Sequence, residues 1–127
     1  MKKMAVVGAG TMGNGIAHVF AQSGWQVTLI DVAQPQLDKA LAVIRKNMDR
    51  QVKKEKMTVE DRDAALGRIA TATELKQASD AELVVEAAIE AADLKFQLFE
   101  KLNEITSADT ILASNTSSIS ITEIHRS

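Results

Sequence analysis

Short apolar runs alternate with longer amphipathic stretches along this chain. Lys3-Met4-Ala5-Val6-Val7 is brief, apolar and ended by glycine, the pattern of a buried strand. Thr11 to Ser23 follows at helical spacing, with Met12, Ile16, Val19 and Phe20 predicted on one face and Gly24 as the stop. Gln26 to Ile30 is short and β-branched, hence a second strand. From Pro35, placed where a helix tolerates proline, to about Glu55 the pattern is helical again, with Leu37, Leu41, Ile44 and Met48 inward. Thr58, with Asp61 three places on, resembles a capping box, and Gly67 closes that helix. Arg68 to Thr71 is a weak strand pattern and Glu82 to Glu86 a strong one. Ala91 to Thr106 is helical, with Leu94, Leu98, Phe99 and Leu102 inward. Thr110 to Ala113 is another short strand, and Ser120 to Arg126 starts a further helix.

Strands alternating with helices argue for a parallel sheet covered on both faces. The right-handed crossover rule then makes a doubly wound α/β fold of strand order 3-2-1-4-5 the natural solution, with a long helical excursion after the second strand. The 127 residues suit one domain, and 46% hydrophobic residues supply its core.

Composition removes several classes of function. The absence of cysteine excludes a disulfide framework, a thiolate metal site and a cysteine nucleophile, and no metal is expected. A net charge of −2 gives no reason to expect nucleic acid or a membrane surface as partner. No apolar run approaches the ~20 residues of a membrane span, and no secretory leader pattern is present. The expectation is a cytoplasmic protein.

The first strand runs directly into Gly8-Ala9-Gly10-Thr11-Met12-Gly13, which matches G-x-G-x-x-G. Gly8 permits the tight turn, Gly10 lets the backbone approach a pyrophosphate, and Gly13 lets the helix pack closely on the strand. The helix N-terminus offers positive partial charge to the phosphates. A glycine turn alone is a weak signal. This one follows a strand, opens a helix and precedes a second strand ending in Asp31, eighteen positions past Gly13. A carboxylate there accepts hydrogen bonds from a ribose diol and repels a 2′-phosphate, so NAD is favoured over NADP. Gly15 suggests close packing within the helix. His18 reads as a packed or partly exposed histidine rather than a catalytic one.

Two further segments sharpen the picture: Val84-Val85-Glu86-Ala87-Ala88-Ile89-Glu90 with Lys95 five places on, and Ala113-Ser114-Asn115-Thr116-Ser117-Ser118. With the glycine turn they closely resemble the NAD-binding half of the L-3-hydroxyacyl-CoA dehydrogenase family, 3-hydroxybutyryl-CoA branch. The resemblance runs from Met4 to Ile124 in order and spacing.

The resemblance implies a Rossmann-type domain over residues 1–127 that binds NAD. It matches Gly8, Gly10, Thr11, Met12 and Gly13 to the pyrophosphate turn, Asp31 to the ribose acid, and Ala87, Glu90 and Lys95 to positions lining the cofactor. It matches Ser117 to the active-site serine that contacts nicotinamide and substrate oxygen, and Asn115 to an asparagine of the same loop. Lys54 matches a lysine touching the coenzyme A part of an acyl-CoA substrate. Asn47 stands where the family often has serine, a departure that leaves its role open. From the residues alone, Glu90 and Lys95 are ordinary charges near a helix start. Likewise Lys53, Lys54 and Lys56 are a solvated helix end. The serine-rich run reads either as a polar cap or as a hydroxyl-rich loop at a strand's carboxyl end, where doubly wound folds place ligands.

The family's reaction is the reversible oxidation of a (S)-3-hydroxyacyl-CoA to the 3-oxoacyl-CoA. It pairs hydride transfer with a histidine base held by a glutamate, both beyond the position of Ser127; His125 is no substitute. The expectation is an N-terminal part that binds NAD(H) without turnover, lacks the family's helical dimerisation domain, and self-associates through an exposed edge at Ile111–Leu112. The parent is expected to be a homodimer. A stand-alone NAD(H)-binding or sensing module is the alternative. A related hydroxyacid or sugar dehydrogenase fits the serine loop and the long charged helix less well.

Overall fold

The computed structural model describes residues 2–87 and 92–114. Its elements run β1 (Lys3–Val7), α1 (Thr11–Gln22), β2 (Gln26–Ile30), α2 (Gln34–Lys53), α3 (Val59–Gly67), β3 (Ile69–Ala72), a 3-10 turn (Leu75–Ala78), β4 (Leu83–Glu86), α4 (Ala92–Ile105) and β5 (Ile111–Ser114). The five strands form one parallel sheet in the order β3-β2-β1-β4-β5. This is the doubly wound order read from the sequence.

The pairing register sets the carboxyl ends of the strands in one row. Val7 lies beside Ile30 and Glu86, Ile30 beside Ala72, and Glu86 beside Ser114. Every loop leaving that row begins at the same height, which is where doubly wound folds place ligands.

Strand alternation divides the core in two. Met4, Val6, Val27, Leu29 and Val85 face α1, α2 and α3. Ala5, Ile30, Val84 and Leu112 face α4 and the 3-10 turn, with Phe99 and Leu102 fully buried. In α2 the inward positions are Leu37, Ala40, Ile44 and Met48; Leu41, expected inside, is half-buried and Ala40 takes its place. In α4, Leu98, Phe99 and Leu102 are buried as expected.

The face of α1 meets the expectation only in part: Ile16 and Phe20 pack against the core. Gly13, Ala17 and Ala21 are its buried residues, whereas Met12 and Val19 are exposed and Ile16 and Phe20 half-buried. The helix sits so close to the sheet that only small side chains fit beneath it. The second correction concerns Gly15: a β-carbon there meets nothing within 4 Å, so it serves no close packing within the described residues.

Helix ends follow the sequence closely. The Thr58 hydroxyl accepts the Asp61 N–H at 3.1 Å and caps α3. After α1, Gly24 takes φ +101°, and the Gly24 and Trp25 N–H groups donate to Ala21 and Phe20. This is a Schellman ending. The same two bonds close α2, from Glu55 to Val52 and from Lys56 to Gln51, with Glu55 at φ +61° in the glycine position. β3 begins one residue later than read, because Arg68 caps α3 and donates from Nη1 to the Ala21 carbonyl at 2.7 Å. The 3-10 turn has no counterpart in the sequence reading. Among the described residues no helix is long and apolar enough to cross a membrane.

Candidate functional site

The Gly8–Gly13 turn stands at the carboxyl end of the central strand, between β2 and β4. Gly8 adopts φ +109°, a conformation that L side chains rarely reach, and its N–H donates to the Ile30 carbonyl at 2.7 Å. The chain can therefore fold back immediately after β1 while staying bonded to β2.

Gly13 is required for a different reason. A β-carbon at this position would overlap the Gly8 carbonyl oxygen and lie 2.8 Å from its carbonyl carbon. The first turn of α1 is pressed against the strand that precedes it.

Gly10 is the N-cap of α1. It brings no side-chain cap, and the first helical turn holds no acid. Among the described residues a β-carbon at Gly10 would meet nothing within 4 Å. An uncapped, acid-free helix start beside an open approach suits an anion.

Asp31 follows β2 and sits next to this turn. Its Oδ2 accepts the Ala9 N–H at 3.0 Å, and its Oδ1 accepts the Ala33 N–H at 3.0 Å. An ionised carboxylate has about four acceptor positions, and the described residues leave at least one on each oxygen for a ligand. On the other side of the turn, Ala87 donates its N–H to the Val7 carbonyl at 2.9 Å. The Ala87 side chain is buried in the core under α1, so its backbone, not its methyl group, borders the row of strand ends.

A groove of about 370 Å³ opens between the turn and α2. Gly10, Thr11, Asn14, Lys39, Val43 and Asn47 line it. The fold thus brings Asn47, which the sequence leaves without a clear role, to the glycine turn. Lys54 lies seven residues further on, on the same face of the helix and about 10 Å along its axis. It is the exposed C-cap residue of α2 and does not line the groove.

His18 is half-buried between α1 and α2, with Nε2 2.9 Å from Gln22 Oε1 and 3.2 Å from Gln51 Oε1. The Gln51 contact ties α1 to α2.

Glu90, Asn115 and Ser117 lie outside the described residues, as do Ala88, Thr116, Ser118 and His125. Lys95 is the fourth residue of α4, and Ser114 ends β5. Two features were not legible as sequence. One is the pair of bonds pinning Asp31, whose partner Ala9 is 22 positions away. The other is Glu86, fully buried at the end of β4 beside Val7; an acid closing an apolar run was its only signal.

Comparison with known proteins agrees with this geometry. The family model described as 3-hydroxyacyl-CoA dehydrogenase, NAD binding domain, matches residues 3–127. The chain is 44% identical over 124 residues to a 3-hydroxybutyryl-CoA dehydrogenase of Bradyrhizobium diazoefficiens, covering 98% of this chain and 42% of that protein. It is 40% identical to a 3-hydroxyadipyl-CoA dehydrogenase of Escherichia coli, covering 98% of this chain and 26% of that protein. The crystal structure of a 3-hydroxybutyryl-CoA dehydrogenase from Escherichia coli superposes with a TM-score of 0.92 at 41% identity, over 97% of this chain and 26% of that one. The chain spans less than half the length of each of these relatives.

Proposed function

Because this chain belongs to the 3-hydroxyacyl-CoA dehydrogenase family and corresponds to its NAD-binding domain, we propose that its glycine turn and Asp31 form the cofactor cradle of an enzyme acting on acyl-CoA substrates. The full reaction is the reversible oxidation of a 3-hydroxyacyl-CoA to its 3-oxoacyl-CoA. One observation carries the reading: the open approach at Gly10 lies one residue from Ala9, whose N–H is bonded to Asp31.

The residues divide the work. The start of α1, with Gly10 bare and Thr11 and Met12 in its first turn, receives the pyrophosphate. The free acceptor positions of Asp31 take the ribose diol, and its charge turns away a 2′-phosphate. The backbone at Ala87 borders the place for the nicotinamide half. Glu90 and Lys95 are assigned to the second ribose, and Asn115 and Ser117 to the reacting end. Bound NAD supplies the hydride acceptor.

Asn47 and Lys54 are assigned to the coenzyme A part of the substrate. Their shared helix face leads from the turn along α2, and Lys54 gives a cation for a phosphate at its far end. This stripe favours a substrate-handling enzyme domain over a module that only senses NAD(H).

Acetoacetyl-CoA is the direct probe, with free coenzyme A and acetoacetate as controls. Saturation-transfer NMR on the NADH-loaded chain is expected to show coenzyme A protons in contact, weakened by Lys54→Ala. Contacts absent from wild type, or unchanged by Lys54→Ala, contradict the substrate assignment.

A further inference from the structure

We infer that Asp31 is also the positioning residue of the glycine turn: it holds the turn in its nucleotide-ready shape before any nucleotide arrives. This rests on the assignment of the glycine turn and Asp31 to NAD(H) and adds a second task to the ribose acid.

The geometry is a clamp. One carboxylate joins two segments distant in sequence, taking the Ala9 N–H on Oδ2 and the Ala33 N–H on Oδ1, each at 3.0 Å. Ala9 sits between Gly8 and Gly10, and glycines impose little shape of their own. The Gly8 N–H is bonded to Ile30, immediately before the acid. The turn is thus tied to the end of β2 by two adjacent bonds, one from the main chain and one from the side chain. The side-chain bond is charge-assisted, hence stronger than a neutral one.

Pinning also fixes the acid. With both oxygens engaged, the carboxylate cannot swing away from the glycine turn without releasing Ala9 or Ala33. A 2′-phosphate therefore meets a negative charge that does not yield. Exclusion of the phosphate and shaping of the turn reside in the same group. A substitution that removes the charge to admit NADP(H) also loosens the pyrophosphate turn, so a single replacement at 31 does not exchange one cofactor for the other.

The test separates the two tasks with a ligand that lacks the diol. NADH and 2′,3′-dideoxy-ADP are titrated into the wild-type chain and into Asp31→Asn, with thermal melts confirming that both are folded. Saturable NADH binding by wild type establishes the site; its absence overturns the cofactor assignment on which this inference rests. If Asp31 shapes the turn, Asp31→Asn weakens the dideoxy ligand roughly fivefold although there is no diol to read. A dideoxy affinity equal to wild type, with NADH alone weakened, overturns the inference and leaves Asp31 reading the ribose only. If Asp31→Asn does not fold, the wild-type amide protons decide. Those of Ala9 and Ala33 are expected to be protected from solvent exchange, and rapid exchange of the Ala9 amide overturns the clamp.

Discussion

Gly13 and Gly8 are in such close contact that the helix after the first strand has no room for an extra carbon at Gly13. A β-carbon at Gly13 would overlap the Gly8 carbonyl oxygen, part of a backbone that cannot rotate aside. Gly13→Ala is therefore expected to destabilise the fold by about 1–3 kcal/mol, the range for overpacking. It also displaces the turn and weakens NADH binding. Urea unfolding and NADH titration of the variant check both effects.

Gly10 and Gly15 are predicted to part company with Gly13. Among the described residues a β-carbon meets nothing within 4 Å at either position. Gly15→Ala is expected to stabilise the protein by about 0.5–1 kcal/mol, the helix-interior difference between the two residues. Gly10→Ala is expected to fold normally and lose roughly tenfold in NADH affinity, because its methyl group occupies the approach to the helix start. Wild-type affinity in Gly10→Ala would contradict the pyrophosphate assignment.

α2 ends in the same bonded arrangement as α1, with Glu55 where α1 has Gly24. A left-handed conformation costs an ordinary side chain about 1–2 kcal/mol relative to its preferred regions. Glu55→Gly is expected to raise stability by up to about 1 kcal/mol, as a higher urea midpoint at unchanged slope.

Lys3 and Asp80 join the start of β1 to the loop before β4 at 3.0 Å. The Lys3 ammonium, bonded to the Asp80 carboxylate, holds that acid below its ordinary range. A lowered folded value means stability that is present above the unfolded value, near ~3.9, and is lost as pH falls through the folded one. Both side chains are about half exposed or more, so the bridge contributes below about 0.5 kcal/mol. Asp80→Asn should lower stability by that small amount at pH 7 and match wild type in strong acid.

The glycine turn and the acid after β2 were legible because each depends on local pattern, and the strand order because the crossover rule leaves alternating strands and helices few topologies. The inward face of α1 was not. A reading that places large apolar residues inside points to Met12 and Val19, whereas the close approach fixed by Gly13 selects Ala17 and Ala21. The same preference for size put Leu41 where Ala40 lies. The clamp on Asp31 depends on β1 and β2 standing side by side in register, which no local pattern encodes.

The most direct test of the cofactor assignment is a calorimetric titration of the 127-residue chain with NADH, with NADPH run alongside. Saturable binding of NADH, markedly weaker binding of NADPH, and loss of that preference in Asp31→Asn are expected. Equal affinity for the two cofactors in the wild-type chain, or no binding of either, would contradict that assignment.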